Sequence, residues 1–184
     1  MDNAFCDSPE VMFSEEAHLA AQKQLYPNIF KRPFGDLKFI ATTLGISKKT
    51  DILDGEMGID RMIEVTVNGF RKPLLFTVQE RFRSPEYAKY KDITITEWNN
   101  VSGLPSELYK INAGIFVYGY YDSQSAVFLD AIVVETARLL FLLAVQQVHY
   151  EKRRNKRQQD FITIPFSDLK RGGAVLWRFP GIEK

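Results

Sequence analysis

Three residues have the types and the spacing to act on a phosphodiester. Asp60 follows Gly58-Ile59 and comes just before an alternating stretch, Met62 to Val67. Gln79-Glu80-Arg81 lies near the end of the next stretch of strand character, Leu74 to Arg83. Side chains two apart on a strand share a face, which puts Gln79, Arg81 and Arg83 on one side with Thr77. A hairpin would then bring together an acid, a second oxygen ligand and a cation. Carboxylate and amide oxygens suit a hard cation such as Mg²⁺. A fixed cation beside it stabilises the negative charge that develops during hydrolysis. Plainer readings stand beside this one: Asp60 as a turn or strand-cap residue, and Gln79 and Arg81 as solvated strand residues.

Several elements must position this set. Ser14-Glu15-Glu16 opens a helical pattern, with Ser14 as cap, an acidic first turn that suits the helix dipole, and Pro27 as terminator. Within it, His18 has no partner at metal-ligand spacing and reads as a surface or packing residue. Phe39-Ile40-Ala41 fits a short helix or a strand. Asn68-Gly69 is a hairpin signal between the two central strands, and Ser84-Pro85 stops the second. Asp92–Thr96 reads as a short strand or extended return. Pro105–Ile111 reads as a short helix, and Gly114–Tyr121 and Ala126–Val134 as strands. From Thr136 a long helical pattern runs through Leu139, Leu143 and Val145 toward Gln147. The order predicts a mixed α/β fold, a mixed sheet flanked by helices. With 184 residues, 45% hydrophobic, and no linker or repeat, one domain over 1–184 is expected.

At Asp60 and Gln79-Glu80-Arg81 the chain resembles the PD-(D/E)xK nuclease superfamily, the fold of many restriction endonucleases and resolvases. The resemblance covers roughly residues 14–121. In that family an Asp opens the second core strand and an acid-x-Lys motif lies on the third. Asp60 matches the first. Gln79-x-Arg81 matches the second in variant form, and Glu15 or Glu16 matches an acid that some members carry on the first helix. The resemblance implies a restriction-endonuclease-like core and metal-dependent hydrolysis of DNA. Asp60, Gln79 and Glu16 would hold Mg²⁺ (Mn²⁺ substituting), and Arg81 would neutralise developing charge. Two departures stand out. Arginine cannot accept a proton. The middle residue, normally apolar, is Glu80, on the face of Val78 and Phe82, so a register with Glu80 as the acid remains open, although Phe82 then stands where a lysine belongs. A catalytically inactive nuclease-fold protein that binds nucleic acid or a protein partner is the alternative implied by the missing lysine.

The 24 Lys and Arg nearly balance 23 Asp and Glu, for a net charge of +1, which excludes a generally basic coat. Placement is less even. Asp2, Asp7, Glu10, Glu15 and Glu16 crowd the start without a Lys or Arg. Lys152, Arg153, Arg154, Lys156 and Arg157 form a basic tract after the helical pattern, read either as a phosphate-contacting patch or as a solvated helix end. Arg71, Lys72 and Arg83 add cations on the motif hairpin and are further candidates for the DNA backbone. The Tyr87, Tyr90 and Tyr109 rings are expected to pack. Cutting both strands of a duplex would call for a homodimer, and the apolar stretch at 136–148 is the candidate dimer surface or simply core. The single Cys6 excludes an internal disulfide framework and a cysteine-cluster zinc site. Asp130, Glu135 and Arg138 interrupt the most apolar stretch, Ala126–Val148, which argues against a membrane span. With no export signal, a cytoplasmic, intracellular location is expected.

Overall fold

The computed structural model describes residues 9–34, 39–44 and 57–180. Cys6, Asp2 and Asp7 lie outside them. Two helices lead, α1 (Pro9–Gln24) and α2 (Tyr26–Phe34). Strands β1 (Phe39–Leu44), β2 (Arg61–Val67) and β3 (Leu74–Arg83) follow. A 3₁₀ turn (Pro85–Tyr90) then leads to β4 (Asp92–Asn99), β5 (Leu104–Pro105) and the short helix α3 (Glu107–Lys110). Next come β6 (Ile115–Asp122), β7 (Val127–Glu135) and α4 (Thr136–Ala144). The chain closes with β8 (Glu151–Arg154), β9 (Gln159–Pro165), α5 (Phe166–Arg171) and β10 (Val175–Phe179).

The strands form two sheets. A six-stranded sheet has the order β1-β2-β3-β6-β7-β10, and a four-stranded sheet the order β5-β4-β9-β8. In the larger sheet β3 and β6 run parallel and the other neighbours antiparallel. The mixed α/β class expected from the element order is therefore what the chain adopts. β6 and most of β7 read as apolar runs because both faces of those strands are covered. On one face Ala17, Ala21, Leu25 and Phe30 of the helical pair pack on Ile63, Val65, Val78 and Val117. On the other, Phe116, Tyr118, Tyr120 and Ile132 meet Ile93, Ile95, Ile162 and Ile164 of the second sheet, with Leu139, Leu142 and Leu169 closing the end.

Four expectations are corrected. Ser14 lies inside α1, which begins at Pro9. Pro27 sits in the first turn of α2, where the missing N–H has no intrahelical partner to lose. The helix from Thr136 stops at Ala144, because Gln146 turns back with φ 55°. Leu139, Leu142 and Val148 are core, whereas Phe141 and Val145 are exposed, so one side of the stretch is core and the other faces solvent. The basic tract is a strand and turn, not a helix end: β8 pairs antiparallel with β9 at the edge of the smaller sheet. Among the described residues no helix is long and apolar enough to cross a membrane.

Candidate functional site

β2 and β3 pair as an antiparallel hairpin in which Arg61 faces Val78. Asp60 therefore lies level with Gln79, and its N–H donates to the Val78 carbonyl at 2.9 Å. Asp60 Oδ2 accepts from Gln79 Nε2 at 2.8 Å and from the Glu80 main-chain N–H at 2.6 Å. The first two members of the expected set thus meet. Gln79 is only 8% exposed, and its Oε1 is buried with no hydrogen-bond partner. A buried acceptor left unpaired carries an uncompensated desolvation cost, which a ligand would relieve. Gly58 makes room for this side chain. Its φ of 54° favours glycine, and a Cβ there would stand 3.1 Å from Gln79 Oε1 and 3.1 Å from the Ile111 Cα.

Arg81 shares the Gln79 face but its guanidinium goes elsewhere. Nη1 donates to Glu107 of α3 and, at 3.2 Å, to the Thr96 hydroxyl. Glu107 also accepts the Thr96 N–H at 3.2 Å. Arg83 follows the same direction: Nη1 donates to the Thr94 hydroxyl at 3.0 Å, and the guanidinium stacks on Tyr87, 3.7 Å from the ring centroid. Burial holds the Asp92 carboxyl beside it above the ordinary carboxylate range, against the pull of its Tyr120 hydrogen bond and of Arg83. The Tyr120 hydroxyl donates to the Asp92 carbonyl at 2.7 Å.

Glu16 does not join the set. It is exposed on α1 and accepts from the Tyr121 hydroxyl at 2.9 Å. Burial and Glu16 together push that phenol up to about 12. Its neighbour Glu15 is the helix acid nearer the site, pairing with Arg61 Nη2 at 3.1 Å. Among the described residues no group of three or more His, Cys, Asp and Glu is gathered as a metal cage.

The opposite face of β3 carries a cluster that sequence reasoning missed. The Glu80 side chain is 6% exposed and turns toward the helices. His18 Nδ1 lies 3.0 and 2.9 Å from its two oxygens, and the Tyr26 hydroxyl donates to Oε1. Gln22 Nε2 donates to His18 Nε2 at 2.9 Å. His18 Nδ1, within reach of both Glu80 oxygens, is the ring nitrogen placed to donate to that carboxylate. Arg61 Nε stands 3.6 Å from Glu80, and its Nη1 donates to the Asp60 carbonyl at 3.3 Å. Burial, reinforced by Glu80, raises the Tyr26 phenol well above its ordinary value, so it stays a donor. His18, read as a surface or packing residue, is packed: it is 5% exposed, within a polar network. Only the polar Glu80 at an otherwise apolar strand position hinted at a buried partner.

The proposed backbone-binding cations are dispersed. Arg71 and Lys72 are exposed between β2 and β3. On the edge strand Lys152 pairs with Glu97 at 2.7 Å, Arg153 with Glu151 at 2.6 Å and Arg154 with Asp160 at 2.6 Å. Lys156 and Arg157 are exposed in the turn that follows. Tyr87 packs under Arg83, whereas Tyr90 and Tyr109 are exposed. In comparison with known proteins, no protein-family model, no curated protein and no solved structure matches the chain.

Proposed function

We propose that the chain is a metal-dependent DNA endonuclease domain with a restriction-endonuclease-like core. The observation that carries the reading is the contact between Asp60 and Gln79 beside the unpaired, buried Gln79 Oε1. The order of elements supports it. A helix leads, Asp60 opens the second strand of the larger sheet, and Gln79-Glu80-Arg81 lies on the third, as in the family the sequence resembles.

The donors fit a hard cation in type, one carboxylate and one amide oxygen. Asp60 and Gln79 would hold Mg²⁺ or Mn²⁺, and joint ligation requires the Gln79 amide to present its oxygen where Nε2 now faces Asp60. When bound, such an ion makes water a nucleophile at neutral pH and offsets charge on the phosphate. Arg81 supplies charge only after exchanging Glu107 for a phosphate oxygen, and being a permanent cation it takes no proton. Glu16 has no part in this version of the site.

A second reading, an inactive nuclease fold that binds nucleic acid or a protein, is favoured by one feature. The Arg81 guanidinium is closed off by Glu107. Cleavage of plasmid and branched DNA in Mg²⁺ or Mn²⁺ decides between them. Loss of cutting in Asp60→Ala and Gln79→Ala supports the nuclease. Equal background from wild type and Asp60→Ala sinks it, and salt-sensitive DNA binding without cutting then leaves the second reading.

A further inference from the structure

Asp60 is gripped from both faces of the sheet, and the grip from the helical face comes through the main chain. The Glu80 N–H bonds Asp60 Oδ2 at 2.6 Å, while the Glu80 side chain is anchored on the other side of the strand. His18, Tyr26 and Arg61 hold that carboxylate. Arg61 also reaches the Asp60 carbonyl. A carboxylate this deeply buried is stable only with such partners, and once satisfied it fixes the backbone that carries it. From this we infer that Glu80 is a positioning residue, and that His18 and Tyr26 act through it to set the Asp60 carboxylate for its ligand. The inference rests on the nuclease reading for the identity of that ligand, a divalent cation. It assigns the open register: Gln79 faces the cation, and Glu80 is the anchor behind it.

The anchor is built so that removing one donor leaves the Glu80 charge buried and undersatisfied. A partner bonded directly to the ligand residue, as the Glu80 N–H is to Asp60, typically changes metal affinity by about 10–100-fold, and His18 and Tyr26 act one step further out. A merely structural contact between α1, α2 and the sheet predicts a different pattern. It would lower stability and leave the ion affinity of the folded fraction alone.

The test is Mn²⁺ titration by calorimetry of the whole chain, in Tyr26→Phe, His18→Ala and His18→Asn. The asparagine amide replaces the Nδ1–H donor. Ile29→Val loosens the same helical layer without touching Glu80. Tyr26→Phe and His18→Ala are expected to weaken Mn²⁺ several-fold, up to about 10-fold at the low end of that range, His18→Asn to recover most of it, and Ile29→Val to match wild type. Wild-type affinity in Tyr26→Phe and His18→Ala overturns the inference, as does an equal loss in Ile29→Val. A wild type that binds no Mn²⁺ overturns the metal reading instead. The anchor is then judged on metal-free chain by NMR. A Glu80 amide that moves upfield and exchanges faster in Tyr26→Phe and His18→Ala, but not in Ile29→Val, upholds it. An unchanged amide removes it.

Discussion

Glu107 closes off the Arg81 guanidinium: its carboxylate takes the Arg81 Nη1–H and the Thr96 N–H together. The side chains of Arg81 and Glu107 are 31% and 14% exposed, so the pair is half-screened by water. A cation neutralised in this way offers little net field to DNA. Glu107→Gln is expected to release it. DNA affinity should rise several-fold at low salt, and the salt slope should steepen by about 0.9, one extra phosphate contact. Fluorescence anisotropy with a labelled duplex over a salt series measures both. In an Arg81→Ala background the same substitution should change nothing. A gain that persists there would mean Glu107 repels DNA directly.

The basic edge strand is expected to contribute less than its charge suggests. Lys152, Arg153 and Arg154 each hold a carboxylate already. Contact with a phosphate would exchange one anion for another. The triple alanine variant should therefore reduce the salt slope by less than about 0.9 per residue removed. Replacing Arg71 and Lys72, which are exposed on the hairpin that carries the site, serves as the comparison. A loss near the full value for the β8 triple would show that those ion pairs open on binding.

Gly58→Ala probes the cradle of Gln79. The new methyl would meet Gln79 Oε1 and the Ile111 Cα, both at 3.1 Å, on a residue with φ 54°. The Ile111 contact is backbone and yields poorly. Left-handed conformation alone costs about 1–3 kcal/mol for a non-glycine residue. Urea unfolding should show a loss of that order, with Mn²⁺ affinity falling as Gln79 is pushed. Unchanged affinity in a folded variant would remove Gln79 from the ligand set.

Much of this arrangement could be read ahead of the structure, and the parts that could not share a cause. The Asp60–Gln79 contact was legible because Asp60 immediately precedes β2 and Gln79 lies on β3, so the hairpin register that pairs Arg61 with Val78 brings them level. The Glu80 network was not, because His18 and Glu80 are 62 residues apart and meet only through helix-on-sheet packing. β8 was hidden by its own exposure. An edge strand with every residue in water shows no buried alternation. Its partner β9 did carry a signal, Ile162 and Ile164 alternating after the Asn155–Gln158 turn, and that would have announced the second sheet. Strand face and the family's lysine position both point Arg81 at the site. It does share the Gln79 face, but its long side chain pairs with Glu107, which arrives from α3.

Asp92 gives the molecule a definite pH signature. Burial raises its carboxyl in the native state, whereas the unfolded chain titrates near pH 3.9, an approximate reference value. The native state therefore keeps a proton that the unfolded chain has already released. Stability from this group is fully present below the unfolded range and is lost as pH rises through the raised native value. Asp92→Asn keeps a side-chain carbonyl for the Tyr120 hydroxyl and removes the titration. The variant should thus match wild type at about pH 3 and become the more stable of the two by about pH 6–7. Urea midpoints across that range provide the measurement. The opposite trend, a variant that weakens relative to wild type as pH rises, would mean that attraction to Arg83 outweighs burial and that Asp92 is a native ion-pair partner.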